Sequence, residues 1–307
     1  MKFRTEYTAE KSKFSLDPSK PVVLAGSCFS QNIAAMMTQH GWEGLNLSGT
    51  LYNPVSIFNA LDMFLDASNG RNRFEDSLFE DKGIWSSWWF DSSFSSLRKE
   101  DCVEEFLLRQ KKFHEALSQG NTLLITLGTS ICYYTEADEN PVGNCHKQPS
   151  AMFFRRRLEI DEILEKWKPL HEKLQRDFPG IHIVFTVSPV RHLKDGFSGN
   201  ARSKAVLMLA IEKICDSYDD CIYFPAFEIL NDDLRDYRFY ASDLLHPSDE
   251  GIEYIWQKFI DTFLDKDGIR LLAEGAAKFK SLNHRPKTGA LGHPLAPLYQ
   301  EGLKNLF

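Results

Sequence analysis

The sequence has few of the features by which membrane, secreted and nucleic-acid-binding proteins are recognised. No stretch approaches the roughly 18 consecutive apolar residues of a membrane helix, and the first residues contain no apolar segment typical of a secretion signal. No block of five basic residues occurs, and the formal net charge is −7 at pH 7. Because nucleic-acid affinity comes largely from neutralising phosphates, such a chain is not expected to bind nucleic acid. These absences predict a cytoplasmic protein with no membrane span.

Cofactor-binding patterns are equally scarce. The six cysteines are dispersed without a CxxC pair, which predicts free thiols in a reducing compartment. Neither a Walker-type loop nor GxGxxG follows an apolar run, which argues against nucleotide hydrolysis and dinucleotide redox chemistry. A zinc site would have to use residues whose spacing matches no compact zinc pattern: Cys145, His146, His192 and His246. We therefore expect neither a metal nor another cofactor.

Short apolar runs alternate with helical periodicity along most of the chain, and this alternation predicts the fold class. It is typical of a doubly wound α/β fold, in which about five parallel strands lie between two layers of helices. In such sheets, ligands bind beyond the carboxyl ends of the strands. The predicted strands are residues 21–25, 44–47, 122–127, 181–187 and 221–224.

The remaining segments suggest how the chain is organised. We expect one domain over residues 1–283, with an aromatic-rich insertion at about 68–100 and a loop-rich stretch at 129–156. Residues 284–307 are predicted to be a C-terminal tail. The insertion contains Trp85, Trp88 and Trp89, whose rings suit either a local core or the stacking of a sugar.

Chemically distinctive residues follow the first and the last predicted strands. After the first strand, Ser27 and Cys28 lie at the amino end of a helix, which favours a thiolate and offers amides to an oxyanion. A tight turn with Ser27 as helix cap and Cys28 as a small apolar group is the competing interpretation. After the last strand, Asp243 precedes His246 by three residues. Its carboxylate can hold one imidazole N–H and leave the other nitrogen to accept a proton from a nucleophile.

Six sequence blocks, taken in order, carry a resemblance to a known family. They read PVVLAGSCFSQNIAAMM, LYNPVSI, LITLGTS, GNCHK, SPVRH and DLLHPS, and extend over roughly residues 20–262. The ordered set resembles the GSCFA-domain family, a bacterial branch of the SGNH/GDSL hydrolase-like superfamily. The resemblance implies a flavodoxin-like three-layer α/β/α sandwich. It also implies ester hydrolysis or acyl transfer, mostly on acylated carbohydrates, lipids or small esters.

The resemblance assigns catalytic roles to four residues. Asp243 and His246 match the final superfamily block without adjustment. Aligning the first block glycine to glycine places Cys28 at the nucleophilic serine, whereas a shift by one makes Ser27 the nucleophile and loses the glycine. We favour Cys28, because Phe29 then takes the apolar position after the nucleophile.

Oxyanion and substrate-binding positions transfer less directly. The superfamily has Gly-x-Asn where this chain has GTS, so that donor asparagine is missing or replaced, and Asn144 is the candidate replacement. Gly49 matches the oxyanion glycine of the second block. Arg191 or His192 could bind an anionic substrate group or serve as structural hydrogen-bonders. The candidate oxyanion or substrate-binding residues are Gly49, Ser130, Asn144, His146, Arg191 and His192.

Two functions therefore remain open from the sequence. The first is an esterase or acyltransferase acting on an acylated carbohydrate or small ester through a nucleophile–His–Asp arrangement. The second is a non-catalytic module that binds a glycan or a protein partner in the same cleft. Both predict that the turn after the first strand and the loop containing Asp243 and His246 converge on one pocket. The acyl group, its acceptor and the oligomeric state are left open.

Overall fold

The computed structural model describes residues 4–66, 69–137 and 139–283. Its strands are β1 (Val22–Gly26), β2 (Gly44–Thr50), β3 (Leu78–Asp81), β4 (Ile84–Ser87), β5 (Thr122–Leu127), β6 (Ile131–Thr135), β7 (Pro141–Val142), β8 (Phe153–Arg157), β9 (His182–Val187) and β10 (Cys221–Phe224). Its α-helices are α1 (Cys28–Gln39), α2 (Pro54–Leu65), α3 (Gly70–Asp76), α4 (Lys99–Gly120), α5 (Ile160–Asp177), α6 (Gly196–Ser217), α7 (Ala226–Glu228), α8 (Asp249–Phe263) and α9 (Lys266–Asn283).

Within the described residues, five parallel strands form the main sheet in the order β2-β1-β5-β9-β10. The predicted α/β class with about five parallel strands is confirmed. Counted along the chain, the strand order is 2-1-3-4-5, the order of flavodoxin-like sheets. The direction of winding reverses between β1 and β5, which pair in register from Val23 opposite Leu123 to Gly26 opposite Thr126. A crevice is therefore expected beyond the carboxyl ends of these two strands.

Strand side chains alternate between two cores, because successive residues of a strand point to opposite faces of the sheet. Val23 and Ala25 belong to the core beneath α2, α4, α5 and α6. Val22 and Leu24 belong to the core beneath α1, α8 and α9. Burial on both faces explains why these strands are continuous apolar runs, which made them visible in the sequence.

The stretch at 129–156 contains the loops that the sequence predicted, and it also holds most of a second sheet. β6 pairs antiparallel with β7 and β8 in a three-stranded sheet. Alternate side chains of β6 are buried, Cys132 and Tyr134 among them. A period of two over five residues is a weak signal, and the Pro and Gly residues around β7 obscured it.

The aromatic-rich stretch at 68–100 contains α3, the β3–β4 hairpin and a short 3-10 turn, Ser92–Phe94. Phe74, Phe90 and Phe94 pack together, with ring centroids 4.4 to 5.8 Å apart. This aromatic cluster continues into α2 through Phe64. The expected tail at 284–307 lies outside the described residues.

Candidate active site

A cavity of about 390 Å³ lies where the carboxyl ends of β1, β5 and β9 meet the loop before α8. Cys28 from the first strand's turn and His246 from the last loop line it together. Gly128 and Ser188, which directly follow β5 and β9, line it as well. The structure thus brings together two segments that lie far apart in the sequence, at the place where such sheets bind ligands.

The turn after β1 gives Ser27 and Cys28 different environments. Gly26 has φ +135°, and the Ser27 amide donates to the Thr126 carbonyl at 3.1 Å. Ser27 is buried and caps α1, its hydroxyl accepting a hydrogen bond from the Phe29 amide at 3.3 Å. Cys28 is the first residue of α1 and is only partly buried. The hydroxyl of Ser27 is therefore engaged as a cap, and the Cys28 thiol is the more accessible of the two groups.

The electrostatics of Cys28 differ from the expectation based on its helix position. Burial raises the pKa of the Cys28 thiol, and the nearby charge of Asp243 adds to the rise. The charge of Lys204 and the amides of Cys28 and Phe29 lower it but do not compensate. Because desolvation disfavours the charged form, the resting group is a thiol. A thiol needs a base before it can act as a nucleophile.

His246 is held by Asp243 in the arrangement expected from the sequence. Its Nδ1 lies 2.6 Å from Oδ2 of Asp243. The other carboxylate oxygen accepts hydrogen bonds from the amides of Leu245 and His246, at 2.9 and 3.0 Å. Hydrogen bonds from these two amides and from the imidazole lower the pKa of Asp243 to about 2. The ionised carboxylate thus fixes Nδ1–H and directs Nε2 to the role of proton acceptor.

Arg191 supports the loop that carries His246. Its Nη2 donates to the Leu244 carbonyl at 2.6 Å, and its guanidinium lies over the Tyr240 ring, 4.3 Å from the centroid. Leu244 has φ +60°, a conformation that costs free energy in a non-glycine residue. These contacts fit the structural role, one of the two that the sequence left open, and Arg191 also lines the cavity, as the substrate-binding role requires.

Two other candidate residues line the cavity. His192 is half-buried, and its Nε2 has no hydrogen-bond partner among the described residues. Burial lowers the pKa of His192, and Lys204 lowers it further, so its imidazole is neutral. The Asn144 Oδ1 accepts from the His146 amide at 2.8 Å, and this leaves its Nδ2 as a remaining donor.

The structure does not bring the remaining candidates into the cavity. A Cβ at Gly49 would lie 2.3 Å from the Asp91 carboxylate, so Gly49 faces that side chain. Ser130 is buried against α6, its amide donating to Ser203 Oγ at 2.8 Å. The Nε2 of His146 lies 2.7 Å from the Ser87 carbonyl, which ties the loop to β4. These residues shape surrounding loops instead of contacting a ligand in the cavity.

Sequence reasoning missed a buried charge beneath the cavity floor. Lys204 in α6 is 1% exposed, and its Nζ donates to the carbonyls of Gly128 and Ser188, both at 2.7 Å. A signal was present, since Lys204 lies three, seven and ten residues before the apolar residues Leu207, Ile211 and Ile214. That spacing places a lysine on the buried face of an amphipathic helix.

A separate polar cluster lies at the amino end of β10, away from the cavity. Within the described residues, His171, Asp220 and Cys221 are a group whose possible ligand atoms lie within 4.8 Å of one another. The imidazole of His171 contacts both Asp220 oxygens, at 3.0 and 2.9 Å. These contacts tie α5 to β10, and they account for the cluster as a structural one.

The comparison with protein families agrees with this arrangement. A family model described as the GSCFA family matches residues 21–259, a span that contains every strand of the main sheet. The chain belongs to the GSCFA family. No curated protein matches it. In the described ranges, none of the helices of this GSCFA-family protein is both long and apolar enough to span a membrane.

Proposed function

We propose that this GSCFA-family protein is an SGNH-like esterase or acyltransferase whose nucleophile is Cys28. One observation carries the proposal: Cys28 and an aspartate-paired His246 line the same cavity at the carboxyl edge of the sheet. A nucleophile, a base and a group that orients the base are the minimum for acyl transfer through a covalent intermediate. Asp243, fully ionised at neutral pH, is the orienting group.

The reaction would run in two steps. His246 Nε2 takes the thiol proton while the sulfur of Cys28 attacks the acyl carbon, and the ester C–O bond breaks as His246 returns the proton to the departing alcohol. Water or a second alcohol then gives its proton to His246 and attacks the thioester carbon. The C–S bond breaks, the acid or the new ester leaves, and His246 returns the proton to the sulfur, which restores the thiol. The raised thiol pKa fits this order, because a base that lines the same cavity removes the proton as the sulfur attacks.

Stabilisation of the oxyanion would come from donors other than the superfamily's asparagine. The Cys28 amide lies at the amino end of α1, where N–H groups have no helical partner. Asn144 lines the same cavity with a remaining side-chain donor. Gly49 is no longer part of this proposal, since its α-carbon packs against Asp91.

The cavity suits a small, uncharged ester better than a charged one. Ile131, Val142 and Val190 contribute apolar walls, and Tyr52 and Tyr133 contribute rings with a polar edge. Such a lining fits an acyl group together with a hydroxylated acceptor. We therefore propose an acylated carbohydrate or a small ester as substrate.

The alternative is a binding module that holds a glycan or a protein partner in the same cleft, with the tryptophans of the 68–100 stretch as candidates for stacking a sugar. Trp88 instead stacks on Phe79, with ring centroids 3.7 Å apart, and packs edge-on against Phe153. None of Trp85, Trp88 and Trp89 lines the cavity. The observations on the site favour catalysis, and the binding module becomes the conclusion if no ester is turned over.

Replacing His246 by alanine should reduce turnover of a short p-nitrophenyl ester or an acetylated sugar by roughly a hundredfold to ten-thousandfold, the usual value of a general base. The matched control is His40→Ala, which removes an imidazole from the other end of α1, outside the cavity. It should retain most of the turnover. Equal rates for wild type and His246→Ala would contradict the assignment of the base.

Replacing Arg191 by lysine should lower kcat by roughly tenfold to a hundredfold, because a flexible ammonium cannot both stack on Tyr240 and hold the strained loop. Arg238→Lys is the control, since Arg238 is exposed and lies over Phe239 without bonding the loop. Steady-state kinetics of the three proteins would decide. A large rise in KM with unchanged kcat would show instead that Arg191 binds the substrate.

A further inference from the structure

The buried amino group of Lys204 has no carboxylate of the described residues bonded to it. Its side chain is 1% exposed, and within the described residues no carboxylate oxygen lies within 4.0 Å of its Nζ. Its hydrogen-bond partners are two carbonyl oxygens, those of Gly128 and Ser188. A charged lysine in this position is expensive unless a negative charge is available nearby.

Lys204 is linked to Cys28, the proposed nucleophile, through two residues that line the cavity. Gly128 and Ser188 directly follow β5 and β9, the next two strands after β1 in the sheet order, and both line the cavity. A Cβ at Gly128 would lie 3.3 Å from the Cβ of Ser27, the residue before Cys28. The Lys204 Nζ thus bonds the carbonyl of a residue that packs against the turn presenting the thiol.

We propose that Lys204 is a positioning residue that balances the negative charge formed at Cys28, and that its amine binds a proton when that charge appears. The proposal rests on the nucleophile assigned above. In the proposed reaction the thiol proton itself passes to His246, and Lys204 takes its proton from water and returns it to water, so the change of charge needs no further co-reactant. The coupling between the two groups is reciprocal. A negative charge at Cys28 raises the pKa of Lys204 by the same amount by which a positive charge at Lys204 lowers the pKa of Cys28.

The hydrogen bonds allow this change without movement. A neutral amine keeps two N–H donors, and the structure provides two acceptors, both at 2.7 Å. The proton can therefore leave Lys204 while both hydrogen bonds remain. Burial lowers the pKa of Lys204 to about 7, an effect that Cys28 opposes, which places the change of charge near neutrality.

Other titratable or charged groups among the described residues also face this pair. From the loop before α2, Tyr52 lines the cavity, and its pKa is raised by burial and by the charge of Cys28. From the loop after β9, His192 is neutral, because burial and the charge of Lys204 both lower its pKa. From α7, the Phe227 ring lies 5.7 Å from Nζ. From the loop before α8, the negative charge of Asp243 raises the pKa of Cys28, and the Asp243 carboxylate is paired with His246. In the proposed reaction the charge changes at Cys28 and at His246, and of these two groups Cys28 is the one whose charge acts on Lys204.

Two adducts of Cys28 test the proposal without altering Lys204. The starting protein is a variant in which the other partly exposed thiols are replaced, Cys145→Ser and Cys215→Ala. Iodoacetate converts Cys28 to a negatively charged carboxymethyl cysteine, and iodoacetamide converts it to a neutral carbamidomethyl cysteine of similar size. NMR of ¹³C-labelled lysine then gives the titration midpoint of Lys204 in each. We expect the carboxymethyl protein to have the higher midpoint by about one pH unit or more. Equal midpoints, or no titration of Lys204 between pH 5 and 9.5, would overturn the proposal.

Alkylation rates provide a second readout. The iodoacetate-to-iodoacetamide rate ratio at Cys28 should fall roughly threefold to tenfold in Lys204→Met, because an anionic reagent loses its counter-charge. Lys194→Met, which removes an exposed charge near Cys145, should change the ratio less. A general loosening of the fold would change both rates together and leave the ratio constant, and that result would contradict the proposal. Neither measurement uses an ester, so a failure here is distinct from a failure to find turnover.

Discussion

Cys28→Ala is expected to abolish turnover of any ester that the wild-type protein hydrolyses, with a loss of at least about a thousandfold. The reason is geometric: Cys28 is the partly exposed thiol at the start of α1, and it shares the cavity with His246. Without the sulfur no covalent acyl intermediate can form, and His246 has no proton to remove. Burst kinetics with p-nitrophenyl acetate, followed by mass spectrometry of the trapped thioester, would measure both consequences.

Two control variants separate the nucleophile from its neighbours. Cys145→Ala removes the other cavity thiol and should retain the acyl intermediate. Ser27→Ala removes the helix cap and should destabilise the protein by about 1 kcal/mol while leaving most turnover. If Ser27→Ala were inactive yet folded and Cys28→Ala active, the alternative alignment of the first block would be right.

Gly26→Ala should destabilise the protein more than any other single methyl addition near the site. The new Cβ would lie 2.1 Å from the Thr126 carbonyl oxygen, and φ at this residue is +135°. Backbone strain and the steric clash together cost about 4 kcal/mol, a large part of the stability of an ordinary domain. Urea unfolding followed by circular dichroism would give the free energy of unfolding directly.

Gly83→Ala is the control that separates the steric clash of a new Cβ from the free-energy cost of a positive φ. Gly83 also has a positive φ, +80°, but no atom lies within 4 Å of the position of its Cβ. This variant should lose only about 1 kcal/mol, the cost of the left-handed conformation. Equal losses for the two variants would show that β1 and β5 are not as closely apposed at Gly26 as the structure has them.

The raised thiol pKa changes how the site would work. A helix amino end alone favours a thiolate, but the partial burial of Cys28 and the nearby Asp243 outweigh it. The site therefore resembles a serine-type arrangement, with the base acting during attack, more than a preformed thiolate–imidazolium pair. Lys204, buried below the cavity, would then offset the negative charge that forms at Cys28 during attack.

Much of the fold could be predicted because its strands are buried on both faces. Val22 to Ala25 and Leu123 to Ile125 are apolar at consecutive positions, which is what two helical layers require. The three-stranded sheet at the rim was missed because β6 is short and half-buried. A pattern of five residues carries too little periodicity to identify it.

Some residues of the site could be predicted from the sequence, because their contacts join residues that are close together in the chain. Asp243 and His246 interact across three residues, so their spacing alone predicted the contact of 2.6 Å. Gly49 could not be placed from its motif, because the partner that faces its α-carbon, Asp91, comes from the insertion. Lys204 had the spacing of a buried position, but only the packing of α6 on β5 and β9 showed what it bonds.

The sequence by itself determined the α/β class, the five strands of the main sheet along the chain, and the aspartate–imidazole pair, since each depends on neighbours within a few residues. The tertiary structure decided which strand ends share a cavity, which candidates stay outside it, and which charges are buried. Strand order and desolvation arise from elements that meet only after folding. The protonation of Cys28 and Lys204 therefore depends on burial that no local pattern records.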